Sequence, residues 1–271
     1  MKIFKNKLNL LKEISKIKDI AFVPTMGSIH KGHLSLINKA KKVSKNVLVS
    51  IYINPKQFNS NLDFKKYPSN VNLDINLLKK NKIKYLYLPN YFDIYSFKTN
   101  HPLYLDKFSK ELCGKFRPNH FKGVVNVINR FLEIVKPKSI FLGMKDYQQL
   151  ILIKSHIKKN KIKTKVFACT TIRDKGGVAL SSRNIYLDKN QINKAMQLYK
   201  YLKKNKKEII LKILNKKKIE IINEIKKIGI KKIDYLECIN LKTLKVAKNN
   251  NSNFNIFIAY YIKKIRLIDN L

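Results

Sequence analysis

The chain has 271 residues, a formal net charge of +41 at pH 7 and 45% hydrophobic residues. This length allows about two domains with a sizeable core. The apolar runs are too short for a membrane span or a signal peptide, and the three cysteines form no CxxC pair, which argues against a disulfide framework. We therefore expect a protein of a reducing cytoplasm.

The charge alone would favour a nucleic acid or an anionic membrane as partner. Lysine is spread through every part of the chain, however, together with asparagine and isoleucine. An A/T-rich genome would produce this pattern, and a continuous phosphate-binding face would not. We expect a solvated lysine surface, with no specific nucleic acid and no membrane as partner.

Strand and helix signals alternate through the first two thirds of the chain. A basic amphipathic segment at 1–18 predicts a first helix. Strands are predicted at 20–23, 47–53, 84–88, 139–142 and 164–171, and helices after residue 33 and at 71–80, 119–135 and 146–159. This alternation favours a Rossmann-like, doubly wound parallel sheet, an α/β fold.

The pattern changes after residue 172. Residues 188–228 are interpreted as two lysine-rich helices, and 233–239 and 255–267 as strands joined through 241–243 without a helical crossover. The sequence thus predicts domains at 1–172 and 173–271, the second a smaller α+β domain.

Arginine and glycine are scarce against this lysine-rich background. Because Arg can bind an anion with two parallel hydrogen bonds and Lys cannot, Arg117, Arg173 and Arg183 in predicted loops are candidates for anion binding. Gly229 fits a helix C-cap, and the remaining glycines fall in four segments predicted as loops: Gly27, Gly32, Gly114, Gly123, Gly143, Gly176 and Gly177.

The segment from Pro24 to His33 lies between a predicted strand and a predicted helix. Open α/β sheets bind anions at such places, because unpaired N–H groups and the helix dipole point at the ligand. His30 and His33 add donors there. The HxGH pattern is that of nucleotidylyltransferases and one class of aminoacyl-tRNA synthetases, while half a metal site or a helix cap remains the alternative.

Three further segments carry polar side chains at predicted strand ends or in a loop. Gln57 follows the second strand, and Lys145, Asp146 and Gln149 follow the strand that ends near Gly143. Residues 176–184 are predicted to be a mobile loop that closes on a triphosphate, although an interdomain linker would have the same composition.

Together with Tyr67-Pro68, residues 113–124 and the ending 266–270, these segments resemble the pantothenate synthetase (pantoate–β-alanine ligase) family over nearly the whole chain. The sequence departs from the family pattern at Leu73, Met144 and Gly176. The resemblance implies an ATP-dependent ligase that condenses pantoate with β-alanine through a pantoyl adenylate and releases AMP and pyrophosphate. It also implies a homodimer.

The resemblance further implies the site residues. The ATP site would comprise Met26, Gly27, Ser28, Ile29, His30, Lys31, Gly32, His33, Gly143, Met144, Lys145, Asp146, Ile172, Leu180, Ser181, Ser182 and Arg183. The catalytic groups would be His33 as proton donor, with His30, Lys145 and Arg183. Gln57 and Gln149 would bind pantoate, with Gln57 also near β-alanine.

ATP is expected as co-substrate together with Mg²⁺, and no metal ion is expected to be held by the protein alone. Two alternatives remain at this point: another HxGH adenylyltransferase with a different acceptor, and a basic nucleic-acid-binding module.

Overall fold

The structure is a computed structural model, and it describes residues 1–246 and 254–271. Two compact units divide the chain, Met1–Thr171 and Ile172–Leu271. Ile172 thus joins the second unit, whereas the predicted boundary placed it in the first.

The first unit is built on a parallel sheet. Its strands are β1 (Lys2–Phe4), β2 (Ile20–Thr25), β3 (Asn46–Ile51), β4 (Tyr85–Tyr87), β5 (Ser139–Gly143) and β6 (Lys165–Cys169). Their order is β1-β4-β3-β2-β5-β6, and each pair of neighbours is parallel. The doubly wound sheet is confirmed.

The strand order reverses beside β2. The chain first builds outward through β3 and β4, and it then returns to place β5 on the other side of β2. Open α/β sheets bind ligands at such a switch point, outside the carboxyl ends of the strands. The loops that follow β2, β3 and β5 therefore lie where a ligand is expected.

Helices cover this sheet. They are α1 (Lys7–Ile14), α2 (Lys31–Val43), α3 (Asn61–Lys65), α4 (Val71–Lys80), α5 (Tyr91–Tyr95), α6 (Cys113–Phe116), α7 (His120–Val135) and α8 (Tyr147–Lys159). Phe22 of β2 and Phe141 of β5 are completely buried, and Phe22 packs against Phe131 of α7 with ring centroids 5.4 Å apart. The apolar runs of the strands thus form the core, as the sequence predicts.

The prediction of a single first helix at 1–18 was wrong. A short strand, β1, precedes α1 and pairs with β4 at the sheet edge. Because β1 has only three residues, its alternation of apolar and polar side chains was too short to predict a strand. Gly114 and Gly123 also lie in helices, α6 and α7, and not in loops.

The second unit has its own core. It contains α9 (Lys189–Lys204), α10 (Lys206–Leu214) and α11 (Lys218–Lys227), followed by β7 (Lys232–Asn240), β8 (Phe254–Ile262) and β9 (Ile265–Asn270). The strands form an antiparallel sheet in the order β7-β8-β9. Ile225 of α11 and Ile258 of β8 belong to one completely buried cluster between helices and sheet.

Two details of this unit differ from the predictions. Residues 188–228 form α9, α10 and α11 rather than two helices, because the helix is interrupted at Asn205 between α9 and α10. The predicted strand at 255–267 is divided into β8 and β9 by a turn at Lys263, whose φ is +51°. The predicted connection at 241–243 is a turn after β7, and residues 247–253 lie outside the described part of the chain. Within the described part of the chain, none of the helices is long and apolar enough to cross a membrane.

Candidate functional site

The loop between β2 and α2 is held by bonds within the first unit. The Thr25 hydroxyl accepts the N–H of Gly27 at 3.2 Å. The carboxylate of Asp74 accepts the N–H groups of Ser28 and Ile29 at 2.8 and 2.7 Å. Several N–H groups expected to be available to a phosphate are therefore already paired, so side chains must supply much of the anion binding.

The two imidazoles of the loop are held by backbone donors. His30 Nδ1 accepts the N–H of Gly32 at 3.1 Å, and His33 Nδ1 accepts the N–H of His30 at 3.3 Å. An Nδ1 that accepts a backbone N–H carries no proton, so each neutral ring carries its proton on Nε2. The helix-cap alternative is thus partly right, because both rings cap α2, yet each retains an Nε2–H donor.

Burial lowers the pKa of both histidines. Together with the nearby charge of Lys145, burial lowers the pKa of His30 to about 4 and that of His33 to about 3. The rings lie 4.1 Å apart between centroids. At neutral pH the site therefore presents two neutral N–H donors rather than imidazolium ions.

The loop after β5 lies beside these rings. Lys145 Nζ is 3.1 Å from Asp146 Oδ1, and both charges act on His30 and His33. Although burial acts to raise it, the Lys145 ammonium holds the pKa of Asp146 below its usual value. At Gly143 an added Cβ would meet no atom within 4 Å, so there is open space at the end of β5.

The loop after β3 brings Gln57 to the same edge. The Gln57 side chain is buried, and its Nε2 donates to Met26 Sδ at 2.6 Å while its Oε1 accepts from Asn54 at 3.4 Å. The sequence-predicted residues Met26 and Gln57, from different strand ends, thus lie together.

Gln149 and its neighbour Gln148 differ sharply. Gln148 is buried, accepts the N–H of Cys113, and donates to the carbonyls of Phe108 and Glu111 at 2.7 Å each. Gln149 is half-buried on the first turn of α8, next to the Lys145–Asp146 loop. Of the two amides, Gln148 holds the fold, and Gln149 is the one predicted to bind pantoate.

Arg117 was predicted to bind an anion, whereas His120 was given no role, and the structure bonds both to the backbone of Gln57. His120 Nδ1 donates to the Gln57 carbonyl at 2.7 Å, and Arg117 reaches the same oxygen from Nη2 at 3.3 Å. Gly123 makes this approach possible, because a Cβ there would lie 2.1 Å from the Lys56 carbonyl oxygen. The basic residues in the segment 113–124 were a usable signal, but their partner could not be inferred from spacing.

The remaining predicted site residues belong to the second unit. They are Ile172, Leu180, Ser181, Ser182 and Arg183. The Ser181 hydroxyl accepts the N–H of Arg183 at 3.3 Å and thereby starts the 3₁₀ helix Ser182–Tyr186. This hydrogen bond fixes the backbone from which the Arg183 side chain extends.

The segment before it, predicted to be a mobile loop, is held by hydrogen bonds of its own. Asp174 Oδ1 accepts the N–H groups of Gly176 and Val178 at 2.9 and 2.8 Å. A Cβ on Gly176 would lie 2.5 Å from Met196, and one on Gly177 would lie 2.0 Å from Tyr199. Gly177, with a φ of +92°, is therefore required for close packing on α9, whereas the flexible Met196 side chain could shift away from a Cβ at position 176.

Arg173, a predicted anion binder, does bind a carboxylate with two hydrogen bonds, but the carboxylate belongs to the chain itself. Its guanidinium donates to both oxygens of Asp269, at 2.7 and 2.8 Å, and stacks on Tyr199 at 4.5 Å. Arg173 therefore stabilises the second unit.

The half-built metal site considered for the two histidines finds no further ligands. Among residues 1–246 and 254–271, no group of three or more His, Cys, Asp or Glu side chains could hold a metal ion.

Comparisons with known proteins identify the family. The family model described as pantoate-beta-alanine ligase matches residues 2–271. The chain is 40% identical to pantothenate synthetase of Ruthia magnifica over 94% of this chain and 91% of that protein, and 38% identical to pantothenate synthetase of Endomicrobium trichonymphae over 100% and 97%.

Solved structures show the same similarity. The crystal structure of pantoate-beta-alanine ligase from Francisella tularensis, complexed with beta-gamma ATP and beta-alanine, is 37% identical, with a TM-score of 0.84 over 100% of this chain and 97% of that one. Pantothenate synthetase from Thermus thermophilus has a TM-score of 0.91 at 28% identity, covering 100% and 99%. With a family match across 2–271, a shared fold and near-complete coverage of each relative, the chain belongs to the pantoate–β-alanine ligase family.

Proposed function

We propose that this chain condenses pantoate with β-alanine at the carboxyl edge of β2, β3 and β5, in two half-reactions. Pantoate attacks ATP to give pantoyl adenylate and pyrophosphate, and β-alanine then displaces AMP. One observation carries the assignment of the site: the two Nε2–H donors of His30 and His33 share the electrostatic field of Lys145 and Asp146 at the switch point of the sheet.

The first half-reaction needs positioning and charge stabilisation more than proton transfer. A carboxylate such as pantoate's, with a pKa of about 4, is already ionised at neutral pH and needs no general base. Negative charge builds on the bridging oxygen as pyrophosphate leaves. The Nε2–H groups of His30 and His33 are donors of the kind that stabilises such charge.

The low pKa of His33 refines the role that the resemblance implies. A ring with a pKa of about 3 is neutral at pH 7, so His33 acts by donating a hydrogen bond from Nε2. A neutral donor needs no proton from solvent and has no competing charged state at neutral pH. We propose that His33 stabilises the leaving pyrophosphate as a hydrogen-bond donor, with His30 beside it.

The cationic side chains complete the proposed phosphate site. Lys145 is partly buried, which strengthens its attraction for an anion compared with a fully solvated lysine. Arg183 of the second unit can bind phosphate with two hydrogen bonds. We propose that ATP also binds to residues Ile172, Leu180, Ser181, Ser182 and Arg183.

Magnesium would accompany the triphosphate. Mg²⁺ keeps several waters and takes one or two carboxylates together with substrate phosphates, so it needs no all-protein cage. Asp146, ionised beside Lys145, fits this role or that of a ribose acceptor. Bound Mg²⁺ would neutralise phosphate charge, and the protein donors would orient the nucleotide.

The acid pocket is assigned to Gln57 and Gln149. An amide both donates and accepts, which suits the hydroxyls and carboxylate of pantoate. The carbonyl of Gln57 is held by His120, so its backbone is fixed before a ligand arrives. We propose that Gln57 also lies near β-alanine, which would bring the amine to the adenylate carbonyl.

We further propose a cytoplasmic homodimer with no specific nucleic-acid or membrane partner. Among the described residues, Cys113, Cys169 and Cys238 are buried thiols that form no disulfide, which suits a reducing compartment. Light scattering of the purified protein, with and without added polynucleotide at physiological salt, tests the assembly and the absence of such a partner.

The decisive experiment follows pyrophosphate release from ATP. We expect release to require pantoate and to proceed for one turnover without β-alanine, and pantothenate to form only when β-alanine is added. Release that needs β-alanine from the start would contradict an adenylate formed first. Pantoate-independent release would contradict the assigned acceptor.

A further inference from the structure

The β2–α2 loop rests on a carboxylate from another part of the chain. Asp74 projects from the first turn of α4, and its side chain is buried with only 4% of the residue exposed. Its Oδ2 and Oδ1 accept the N–H groups of Ser28 and Ile29, at 2.8 and 2.7 Å. Charge-assisted bonds of this length are about twice as strong as neutral ones.

The backbone of this loop is shaped to meet that carboxylate. Gly27 has a φ of +80° and Ser28 a φ of +51°, so two consecutive residues are left-handed. A Cβ on Gly27 would lie 3.0 Å from Asp74 Oδ2 and 3.1 Å from Ile51 Cγ2. A left-handed serine is unfavourable on its own, so the loop needs an outside partner to keep this form.

The same N–H pair would otherwise be a ready site for phosphate, because consecutive backbone donors in a turn bind anions. Asp74 occupies it permanently. The loop then offers a ligand the side chains beyond it, above all the Nε2–H donors of His30 and His33, whose rings are held by backbone N–H groups of the same segment. The orientation of these donors thus depends on a loop that Asp74 holds.

We propose that Asp74 is a positioning residue for ATP: it fixes the β2–α2 loop so that His30 and His33 meet the phosphates. The inference rests on the proposed function of this loop as the phosphate site. Both oxygens of Asp74 already accept backbone N–H groups, so Asp74 would act through the loop, and its negative charge alone would oppose the binding of a phosphate.

The loss of the negative charge and the loss of the loop's anchor predict opposite effects of Asp74→Asn on ATP binding. Removing a negative charge near a triphosphate would tighten ATP binding. Replacing one carboxylate oxygen by an NH₂ group sets donor against donor at Ser28 or Ile29, which would release the loop. We expect the second effect to win, with KM for ATP raised by at least about tenfold while KM for pantoate changes by less than about threefold.

Glu133→Gln is the matched control. Glu133 also clamps two consecutive backbone N–H groups, those of Asn100 and His101, at 3.1 Å each. Its loss costs the same kind of bond in the same unit, away from the β2–α2 loop. We expect KM for ATP to stay unchanged in this variant. Equal effects of both substitutions on KM for ATP would mean that Asp74 acts only on stability.

Asp74→Ala with added formate gives a second test, in case the misdirected amide of Asn prevents folding. Formate is a small carboxylate that could accept the same two N–H groups. We expect formate to lower KM for ATP in this variant and not in the original chain. An ATP requirement that is unchanged or lower in both Asp74 variants would overturn the proposal, even if pantoate-dependent pyrophosphate release and the loss of activity in His33→Ala uphold the proposed function.

Discussion

Two glycine-containing loops, residues 26–33 of the first unit and 176–184 of the second, were both expected to bind ATP, and they are built in different ways. In the first, Gly27 takes a left-handed φ of +80° beside the buried carboxylate of Asp74. In the second, Gly176 and Gly177 let the chain pack closely on Met196 and Tyr199 of α9.

The difference shows what scarce residues signal. In a lysine-rich chain, glycine and arginine persist where backbone geometry or a fork of donors is required. For Arg173 and Gly177 the requirement comes from the structure of the second unit itself, since Arg173 binds Asp269 of the same unit. In the β2–α2 loop, backbone N–H groups occupy the Nδ1 atoms of His30 and His33, and the two Nε2–H donors take no part in these bonds. Scarcity therefore marks demanding positions, and the remaining donors indicate which of them could serve a ligand.

The largest expected effect concerns the first loop. We expect His33→Ala to lower the rate of pantoate-dependent pyrophosphate release by about 10²-fold or more, as is typical when one preorganised donor to developing charge is lost. His33→Gln, which can still present an N–H, should recover part of the rate. Stopped-flow or quench measurement of the first turnover gives the comparison.

Thermal unfolding of His33→Ala provides the control for folding. A variant with a normal unfolding midpoint and near-normal first turnover would leave His33 as a helix-capping residue only, and the two loops would then be alike in serving structure.

In the second loop, a substitution should instead lower the stability of the fold. Gly177→Ala adds a Cβ that would lie 2.0 Å from the Tyr199 ring at a φ of +92°. We expect it to lower the free energy of unfolding by about 1–3 kcal/mol, from strain and overpacking. Urea denaturation measures this loss.

Gly143→Ala is the matched substitution in the first unit. Its Cβ would meet nothing within 4 Å, and its φ of −77° suits any residue. We expect unchanged stability but weaker ATP binding, because the open space is the proposed nucleotide site. Equal stability losses in both variants would remove the contrast between the two regions.

A smaller effect distinguishes amides at the first site. Gln57→Ala and Gln149→Ala should each raise KM for pantoate several-fold while KM for ATP changes little, since a buried partner left without its bond costs roughly 1–3 kcal/mol. Gln148→Ala should instead destabilise the fold, because that amide bonds three backbone groups. Equal weakening of ATP and pantoate binding would contradict the assignment of these two amides to the pantoate pocket.

Much of the first unit could be predicted from sequence because its signals are local. Continuous apolar runs mark β2 and β3, and helical spacing marks α7. The strand β1 was missed because three residues show no period, and Asn205 gave too weak a signal to divide the lysine-rich helices.

The candidate site was predictable in its residue types but not in its bonds. The HxGH pattern indicated His30 and His33, yet the tautomer follows from the N–H groups that reach each Nδ1. Asp74 lies far along the chain from Ser28, and His120 is further still from Gln57. Such pairs depend on the sheet order, which local periodicity does not contain.

The smallest expected effect is that of pH on the first-turnover rate, which should stay nearly constant around neutral pH. Free histidine titrates near 6.5, but burial lowers the pKa values of His30 and His33 to about 4 and about 3. Between pH 6.5 and about 4 for His30, and between pH 6.5 and about 3 for His33, the unfolded chain therefore binds more protons than the folded one. The stability contribution of the two neutral rings is complete above this window and is lost as the pH falls through it. The first-turnover rate of the folded enzyme, by contrast, should change by less than about twofold between pH 6 and 8, because both donors stay neutral. Measuring that rate together with the folded fraction separates the two effects. An acid limb in the rate near pH 6.5 that disappears in His33→Gln would show a charged His33 at work, and the neutral-donor mechanism would have to be abandoned.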